Sequence, residues 1–167
     1  MEKLHILKEK MIKYYAGDPA RIHHFLKVHS FAKWIGEEEG LDKEMLETLE
    51  AAALVHDIGI KIAEEKYGSD AGPLQEKEGP AAAKQILEES GYTGRLAERV
   101  CYLVGHHHTY TDIDGADYQI LVEADFLVNL YEGHESREAV AHAYSRIFRT
   151  GAGKMICREV YGIQPEK

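Results

Sequence analysis

The residues with the clearest chemical meaning are the adjacent His56 and Asp57, which follow the apolar stretch AAALV in the segment AAALVHDIG, residues 51–59. An imidazole and a carboxylate at the buried end of a helix are costly, because both groups lose hydration there. A bound metal ion would compensate that cost, since histidine nitrogen and carboxylate oxygen are both common metal ligands. The pair therefore indicates a metal site before any other interpretation.

Histidine is the unusual part of the composition, with ten residues that include the pair at 23–24 and the run of three at 106–108. Helical periodicity separates the members of each group. His24 is in phase with apolar residues further along its helix, whereas His23 falls on a more polar stripe. His107 continues the apolar stripe of the segment before it. We therefore expect His24 and His107 to point inward and His23 to point outward.

An acidic residue also falls on an apolar helical face, because Asp125 in EADFLVNLYE is in phase with Leu121. Singly, each inward polar group has a structural explanation as a hydrogen-bonded core residue or a cap. Taken together, His24, His56, Asp57 and Asp125 place two imidazoles and two carboxylates on three helices. Such a mixed set suits Mn, Fe, Co, Ni or Zn and leaves coordination positions for water.

The elements that position these residues are predicted to be helices, because no segment shows the alternation of a strand. Turn signals divide the pattern into a first helix ending at Gly17, a second from Asp18-Pro19 to Gly36 or Gly40, a third from Asp42 to Gly59, a fourth from Pro80 to Gly91, a fifth through Leu96 to His107, a sixth over 121–132 and a seventh over 139–148. Residues 64–79 are predicted to form a long loop, and residues 109–118 a polar turn region.

The length of 167 residues and a hydrophobic fraction of 44% favour one core and one domain. We expect an all-α, compact single-domain helical bundle. Its predicted parts are an N-terminal helix over residues 1–17 that packs on the domain, the domain itself over 18–150, and a C-terminal tail over 151–167 without a readable pattern.

Charge and segment composition narrow the classes of partner and the compartment. The 29 acidic and 20 basic residues give a net charge of -9, which argues against a nucleic-acid polymer or a membrane surface as partner. No apolar stretch approaches the ~20 residues of a membrane span, and the N-terminus lacks the apolar block of a signal peptide. A cytoplasmic protein is the default expectation. Cys101 and Cys157 lie outside any CxxC motif, so no thiolate metal site is indicated.

The order of these segments resembles the HD-domain superfamily of metal-dependent phosphohydrolases. The match runs from Arg21 to Glu132 through RIHHFLKV, AAALVHDIG, CYLVGHHHTY and EADFLVNLYE. The resemblance implies the all-helical HD-domain fold and places the family's metal ligands on His24, His56, Asp57 and Asp125. In this family the HD aspartate bridges two metals where two are bound, and otherwise orients or activates the attacking water, which implies that role for Asp57.

Two departures from the family pattern limit what the resemblance implies. The segment EGPAAAKQIL has Gly79 where members that bind two metals usually have a histidine. We therefore favour one firmly held metal and leave open a second, with Glu78, His106 or His107 as its ligands. The missing histidine also disfavours the di-iron oxygenases of this fold. The segment TYTDIDGADY lacks GYP, which disfavours a cyclic-di-GMP phosphodiesterase of the HD-GYP type.

Three further residues are candidates with ordinary alternatives. Lys61 lies one residue from where the family often has a lysine, and it either binds a substrate phosphate or is a solvated helix-end lysine. Arg21, one turn before His24, either contacts an anion or pairs with a surface carboxylate. Asn129 lies four residues after Asp125 and is expected to hold that carboxylate in place.

These residues predict hydrolysis of a phosphoester or phosphoanhydride in a nucleotide or related small phosphate. Asp57 would serve the metal-activated water, and His107 or Lys61 would orient the substrate or protonate the leaving oxygen. The alternatives are a non-catalytic nucleotide-sensing HD module and, less favoured, a di-iron oxygenase. The expected partner is a small phosphorylated substrate, and the oligomeric state, including a homodimer, stays open.

Overall fold

The computed structural model describes residues 2–164, which form helices joined by turns, without a strand in that range. The helices are α1 (Glu2–Tyr14), α2 (Pro19–Glu38), α3 (Lys43–Val55), α4 (Gly59–Tyr67), α5 (Gly72–Glu89), α6 (Gly94–Val104), α7 (Ala116–Glu132), α8 (Arg137–Ile147) and α9 (Gly151–Tyr161). The predicted all-α fold is therefore confirmed. None of these helices is both long and apolar enough to cross a membrane.

Helices α2 and α3 begin directly after the aspartates at which they were predicted to begin. The side chain of Asp18 accepts a hydrogen bond from the backbone N–H of Arg21, and Pro19 occupies the first position of α2. Asp42 accepts from the backbone N–H of Met45 and caps α3 in the same way. These caps set the register of the two helices that present His24 and His56 to the interior.

The long loop predicted over residues 64–79 is wrong, and so is the start of a helix at Pro80. Helix α4 continues to Tyr67, a short turn follows, and α5 begins at Gly72 and runs through Pro80 in its interior. The third helix is also shorter than predicted, because it ends at Val55 and a turn precedes α4.

Close helix packing explains why Gly59 and Gly79 do not mark a helix end and a loop, as the sequence had indicated. A Cβ atom at Gly59 would lie 2.6 Å from the carbonyl oxygen of Gln75 and 2.9 Å from the backbone nitrogen of Gly79. A Cβ at Gly79 would lie 2.6 Å from Cγ1 of Val104. These glycines allow α4, α5 and α6 to approach closely, so they serve helix packing and do not end helices.

The core is centred on α3, which packs against α1, α2, α6 and α7. Every residue of α3 from Thr48 to Val55 is buried, and α7 is buried along most of its length. Helix α1 contributes Leu7 and Met11 to this core. The polar groups on α2, α3 and α7 are therefore surrounded by rigid, apolar packing.

The C-terminal region has an anchor in a buried carboxylate that the sequence analysis did not identify. Glu123 is fully buried and accepts hydrogen bonds from the backbone N–H groups of Arg149 and Thr150, at 3.1 Å each, and from the Thr150 hydroxyl at 2.7 Å. Thr150 in turn caps α9 at Gly153. Residues 151–161 are therefore helical, although no pattern was readable there.

We expect Glu123→Gln to destabilise the protein by about 2–3 kcal/mol, because an amide N–H₂ would face hydrogen-bond donors in a buried place. In a domain of this size that corresponds to a fall in Tm of roughly 5–10 °C. Thermal unfolding followed by circular dichroism measures the change. Glu159→Gln, the same change at an exposed position of α9, is the control and should leave Tm within about 1–2 °C. An unchanged Tm for Glu123→Gln would show that the anchor contributes little.

Candidate metal centre

The HD pair lies at a bend that α1 holds in place. His56 follows the last residue of α3, and Asp57 lies in the turn that leads into α4. The hydroxyl of Tyr15 donates to the carbonyl oxygen of Asp57 at 2.8 Å, and the hydroxyl of Tyr14 donates to the carbonyl oxygen of Ile58 at 3.3 Å. The backbone that carries both functional side chains is thus fixed from the end of α1, by its last residue Tyr14 and by Tyr15 directly after it.

The four residues predicted as metal ligands lie together in the interior. Nε2 of His24 is 3.0 Å from Oδ2 of Asp57 and 3.2 Å from Oδ1 of Asp125. Nε2 of His56 is 3.2 Å and 3.4 Å from the same two oxygens. Each of the four residues offers one ligand atom, and these four atoms all lie within 4.8 Å of one another. Two nitrogens and two oxygens so arranged could hold a divalent cation.

Two of the histidines are oriented by backbone carbonyl groups. Nδ1 of His56 donates to the carbonyl oxygen of Ala53 at 2.7 Å, and Nδ1 of His107 donates to that of Val104 at 2.8 Å. A neutral imidazole that donates from Nδ1 presents the lone pair of Nε2 on its other side. Both rings therefore direct a potential ligand atom into the same interior space, as histidines at metal sites do.

His24 and Asp125 are each held by a side chain of α7 that lies outside the four-residue cluster. Nδ1 of His24 donates to Oε2 of Glu132 at 3.0 Å, and Lys27 lies 3.4 Å from the other oxygen of that carboxylate. Asn129 donates from Nδ2 to Oδ1 of Asp125 at 3.0 Å, the contact expected from its spacing. Glu132 was not among the residues predicted from the sequence, although it lies seven residues after Asp125 and therefore on the same face of α7.

His107 is the strongest indication that the cluster is built for a ligand. It is buried, and its Nε2 is a buried polar atom without a hydrogen-bond partner among the described residues. That atom lies 3.3 Å from Oδ1 of Asp57, but the angles are not those of a hydrogen bond. An unpaired buried nitrogen is costly, and a cation between it and Asp57 would satisfy it.

A second group of potential ligands shares Asp57 with the first and consists of Asp57, His107 and His108. His108 was not among the candidates chosen from the triple. Its Nε2 lies 2.9 Å from Oε1 of Gln75, and its ring packs against Gly72 at the start of α5. Burial, followed by the neighbouring His107, lowers the pKa of His108, which favours the neutral imidazole that metals bind.

The electrostatics of the cluster favour added positive charge. Burial alone would lower the pKa of His24, but hydrogen bonds to Asp125 and Asp57 outweigh it and raise that pKa to about 9. Burial alone would raise the pKa of Asp57, but the charge of His56 and the close imidazoles of His107 and His24 hold it well below its ordinary range. The carboxylates therefore stay ionised and attract cations, either protons on the imidazoles or a metal ion that replaces them.

Two sequence candidates, Lys61 and Glu78, are held by other residues in the structure. The ammonium of Lys61 lies 3.4 Å from the carbonyl oxygen of Tyr14 and over its ring. Glu78 accepts from the hydroxyl of Tyr67 at 2.7 Å and from Lys66 at 3.0 Å. The structure does not bring either side chain into the four-residue cluster.

His106 also turns away, since its Nδ1 donates to the carbonyl oxygen of Tyr102 at 2.7 Å and its ring stacks on the Tyr102 ring. Within the triple, it is therefore His107 and His108 that face the centre. Arg21 lies at the start of α2, where its Nη2 is 3.3 Å from Glu64 and 3.5 Å from Asp70. Its guanidinium is partly exposed one turn before His24.

Fold and site together define a class: an all-helical protein with a buried His/Asp cluster that could hold a divalent cation. The HD domain family model matches residues 21–150, so the chain belongs to the HD domain family. The resemblance inferred from the sequence is thereby confirmed.

A solved structure extends the similarity beyond the matched domain. The chain is 27% identical to a protein described as a predicted HD superfamily hydrolase from an uncultured Thermotogales bacterium, whose crystal structure was determined at 1.45 Å resolution. The similarity has a TM-score of 0.64 and covers 96% of this chain and 84% of that chain. No curated protein matches the chain significantly.

Proposed function

We propose that this protein is a metal-dependent phosphohydrolase that cleaves a phosphoester or phosphoanhydride of a small phosphorylated substrate. The observation that carries the proposal is the buried, unpaired Nε2 of His107, which faces Asp57 beside two further imidazoles and Asp125. Members of the HD domain family typically bind divalent metals, and the chain matches that family over residues 21–150. The net charge of -9 supports a small substrate over a nucleic-acid polymer or a membrane surface.

His24, His56, Asp57 and Asp125 would hold the metal. When bound, such a metal lowers the pKa of coordinated water towards ~7 and offsets charge on the phosphoryl oxygens. Asp57 contacts imidazoles of both ligand groups, which supports our proposal that its carboxylate would accept a hydrogen bond from the attacking water and orient it.

Two other groups would act on the substrate. With only the first cation bound, His107 protonated on Nε2 would donate to the leaving oxygen; we propose it for this role before Lys61, which lies against Tyr14. A second cation on Nε2 would exclude that proton transfer. Arg21 is our candidate for a phosphate contact, because a substrate phosphate could replace its partly exposed contacts with Glu64 and Asp70. We further propose a nucleotide as substrate and a cytoplasmic location; a homodimer is compatible with this function.

The proposal is tested by elemental analysis of the purified protein followed by phosphate-release assays. The substrates are nucleoside mono-, di- and triphosphates and simple phosphate esters, each with Mn, Fe, Co, Ni or Zn. We expect about one metal ion per chain and release of phosphate from at least one substrate. Metal at the four residues without release from any substrate would overturn the hydrolase and support the sensing module. Oxygen-dependent spectra of a di-iron pair would instead support the oxygenase.

We expect His107→Ala to weaken binding of a second cation by more than ~10-fold, because it removes the nitrogen that faces Asp57. His106→Ala is the matched control within the same triple, and it should leave cation binding unchanged because His106 stacks on Tyr102. Calorimetric titration of the metal-free proteins with Mn²⁺ measures both affinities, and circular dichroism checks the fold. Equal losses in the two variants would contradict the assignment of the second group.

A further inference from the structure

A groove of about 750 Å³ lies between α7 and α8, and one of its lining residues, Asn129, contacts the proposed metal ligand Asp125. Its wall is mainly apolar and includes Phe126, Leu130, Ala139, Ala143 and Ile147. Small-molecule sites in proteins commonly have volumes of ~300–1,000 Å³, apolar walls and a few polar groups. The groove therefore has the size and lining of a site for an organic molecule.

Two contacts connect this groove to the metal centre. Asn129 lines the groove, and its Nδ2 donates to Oδ1 of the ligand Asp125 at 3.0 Å. Phe126 also lines the groove and makes an edge-to-face contact with Tyr110, with ring centroids 5.2 Å apart. Burial and the nearby charges, Asp125 first among them, raise the pKa of Tyr110 to about 12, so its hydroxyl stays neutral. A molecule in the groove would thus meet the centre at Asn129, beside the contact between Phe126 and Tyr110.

The polar lining residues indicate which part of a substrate fits. Glu135, Glu138, His142 and Arg146 line the groove, so the charges there do not form a positive patch for phosphates. A second anionic group in this groove would be repelled by the two glutamates. An uncharged group with a planar apolar face and hydrogen-bonding edges, by contrast, could pack on Phe126 and bond to the amide of Asn129.

We propose that this groove binds the nucleoside of a nucleoside monophosphate whose phosphate lies at the metal centre. The inference rests on the proposed function for the position of the phosphate, and it adds the part of the protein that selects the leaving group. Asn129 is the residue that connects selection to chemistry, because it lines the groove and contacts Asp125, and Phe126 supplies the apolar face of the groove. The groove itself can be tested without any hydrolysis.

The test fills the groove with a large side chain. Ala139 is half-buried in the groove wall, so Ala139→Trp places an indole in it; Ser145→Trp makes the same addition at an exposed position of α8 outside the groove. Two readouts are compared between the variants. The first is binding of adenosine, guanosine, cytidine and uridine, measured by saturation-transfer NMR on the protein without added substrate. The second is the ratio of kcat/KM for the best nucleoside monophosphate to that for glycerol 2-phosphate.

We expect at least one nucleoside to bind to the wild type and to Ser145→Trp but not to Ala139→Trp. The kcat/KM ratio should fall about tenfold in Ala139→Trp alone, in the range by which pocket contacts discriminate substrates. Binding without phosphate release would refute the proposed function but retain the groove. Phosphate release with equal ratios in both variants, or no binding of any of the four nucleosides, would overturn the groove.

Discussion

Asp57→Asn is expected to abolish metal binding at the centre and to reduce phosphate release on the order of 10³-fold or more. The reason is the number of contacts that converge on this carboxylate. Oδ2 lies 3.0 Å from Nε2 of His24 and 3.2 Å from Nε2 of His56, and Oδ1 lies 3.3 Å from Nε2 of His107. An amide keeps the volume of the side chain but removes its charge, and it directs an N–H₂ group at one side of the cluster.

Elemental analysis and the phosphate-release assay measure the two losses on the same preparation. Asp112→Asn is a matched control, because Asp112 has a positive φ of 54°, which asparagine also adopts readily, and its side chain is exposed. The control should keep metal content and activity. An Asp57→Asn protein that is free of metal and still active would rule out the proposed mechanism. Retained metal with lost activity would confine Asp57 to the orientation of water.

Removal of the metal is expected to lower Tm markedly, because the centre joins α2, α3 and α7 through buried ligands. A ligand that binds only the folded state stabilises it by about 2.7 kcal/mol when its free concentration is one hundred times Kd. For a domain of this size, that free energy corresponds to roughly 5–10 °C in Tm. The measurement is a pair of thermal scans, one with saturating Mn²⁺ and one after chelation and dialysis.

The same scans on variants locate the stabilising cation. Asp57→Asn should show no difference between the two conditions, whereas Asp112→Asn should retain the difference. Because no turnover is involved, the comparison tests the metal centre independently of the substrate. A metal-dependent rise in Tm that persists in Asp57→Asn would place the cation at another part of the molecule.

The sequence was sufficient to predict the all-helical fold and the four residues that converge in the interior. Apolar periodicity carries that information for His24 and Asp125, since a helix buries one face and the phase of each residue is then determined. The same argument selected His107 within its triple. These residues lie in long, regular helices or directly after one, where local periodicity and tertiary structure agree.

The sequence was not sufficient where tertiary contacts override local signals. Between residues 64 and 79, glycine and proline indicated a loop. In the structure Gly79 lies within α5, and together with Gly59 in α4 it allows α4, α5 and α6 to pack closely. Glu132 and Glu123 resembled ordinary charged residues, because their roles depend on partners 108 and 27 residues away in the chain. His108 was not chosen because it lies off the apolar stripe that selected His107, and its direction is set by the turn over residues 105–108 and by its contact with Gln75.

The contact between Gly59 and Gly79 also limits how this protein can change. Position 79 is where relatives that bind two metals usually have a histidine, yet here even a Cβ atom would lie 2.6 Å from Cγ1 of Val104. A direct Gly79→His substitution would therefore collide with a buried, β-branched side chain before its imidazole could reach a metal. A histidine ligand at this position therefore requires earlier changes at Val104 and its neighbours, so the order of mutations matters. The tight packing of these helices closes the single-step route to a histidine ligand at position 79.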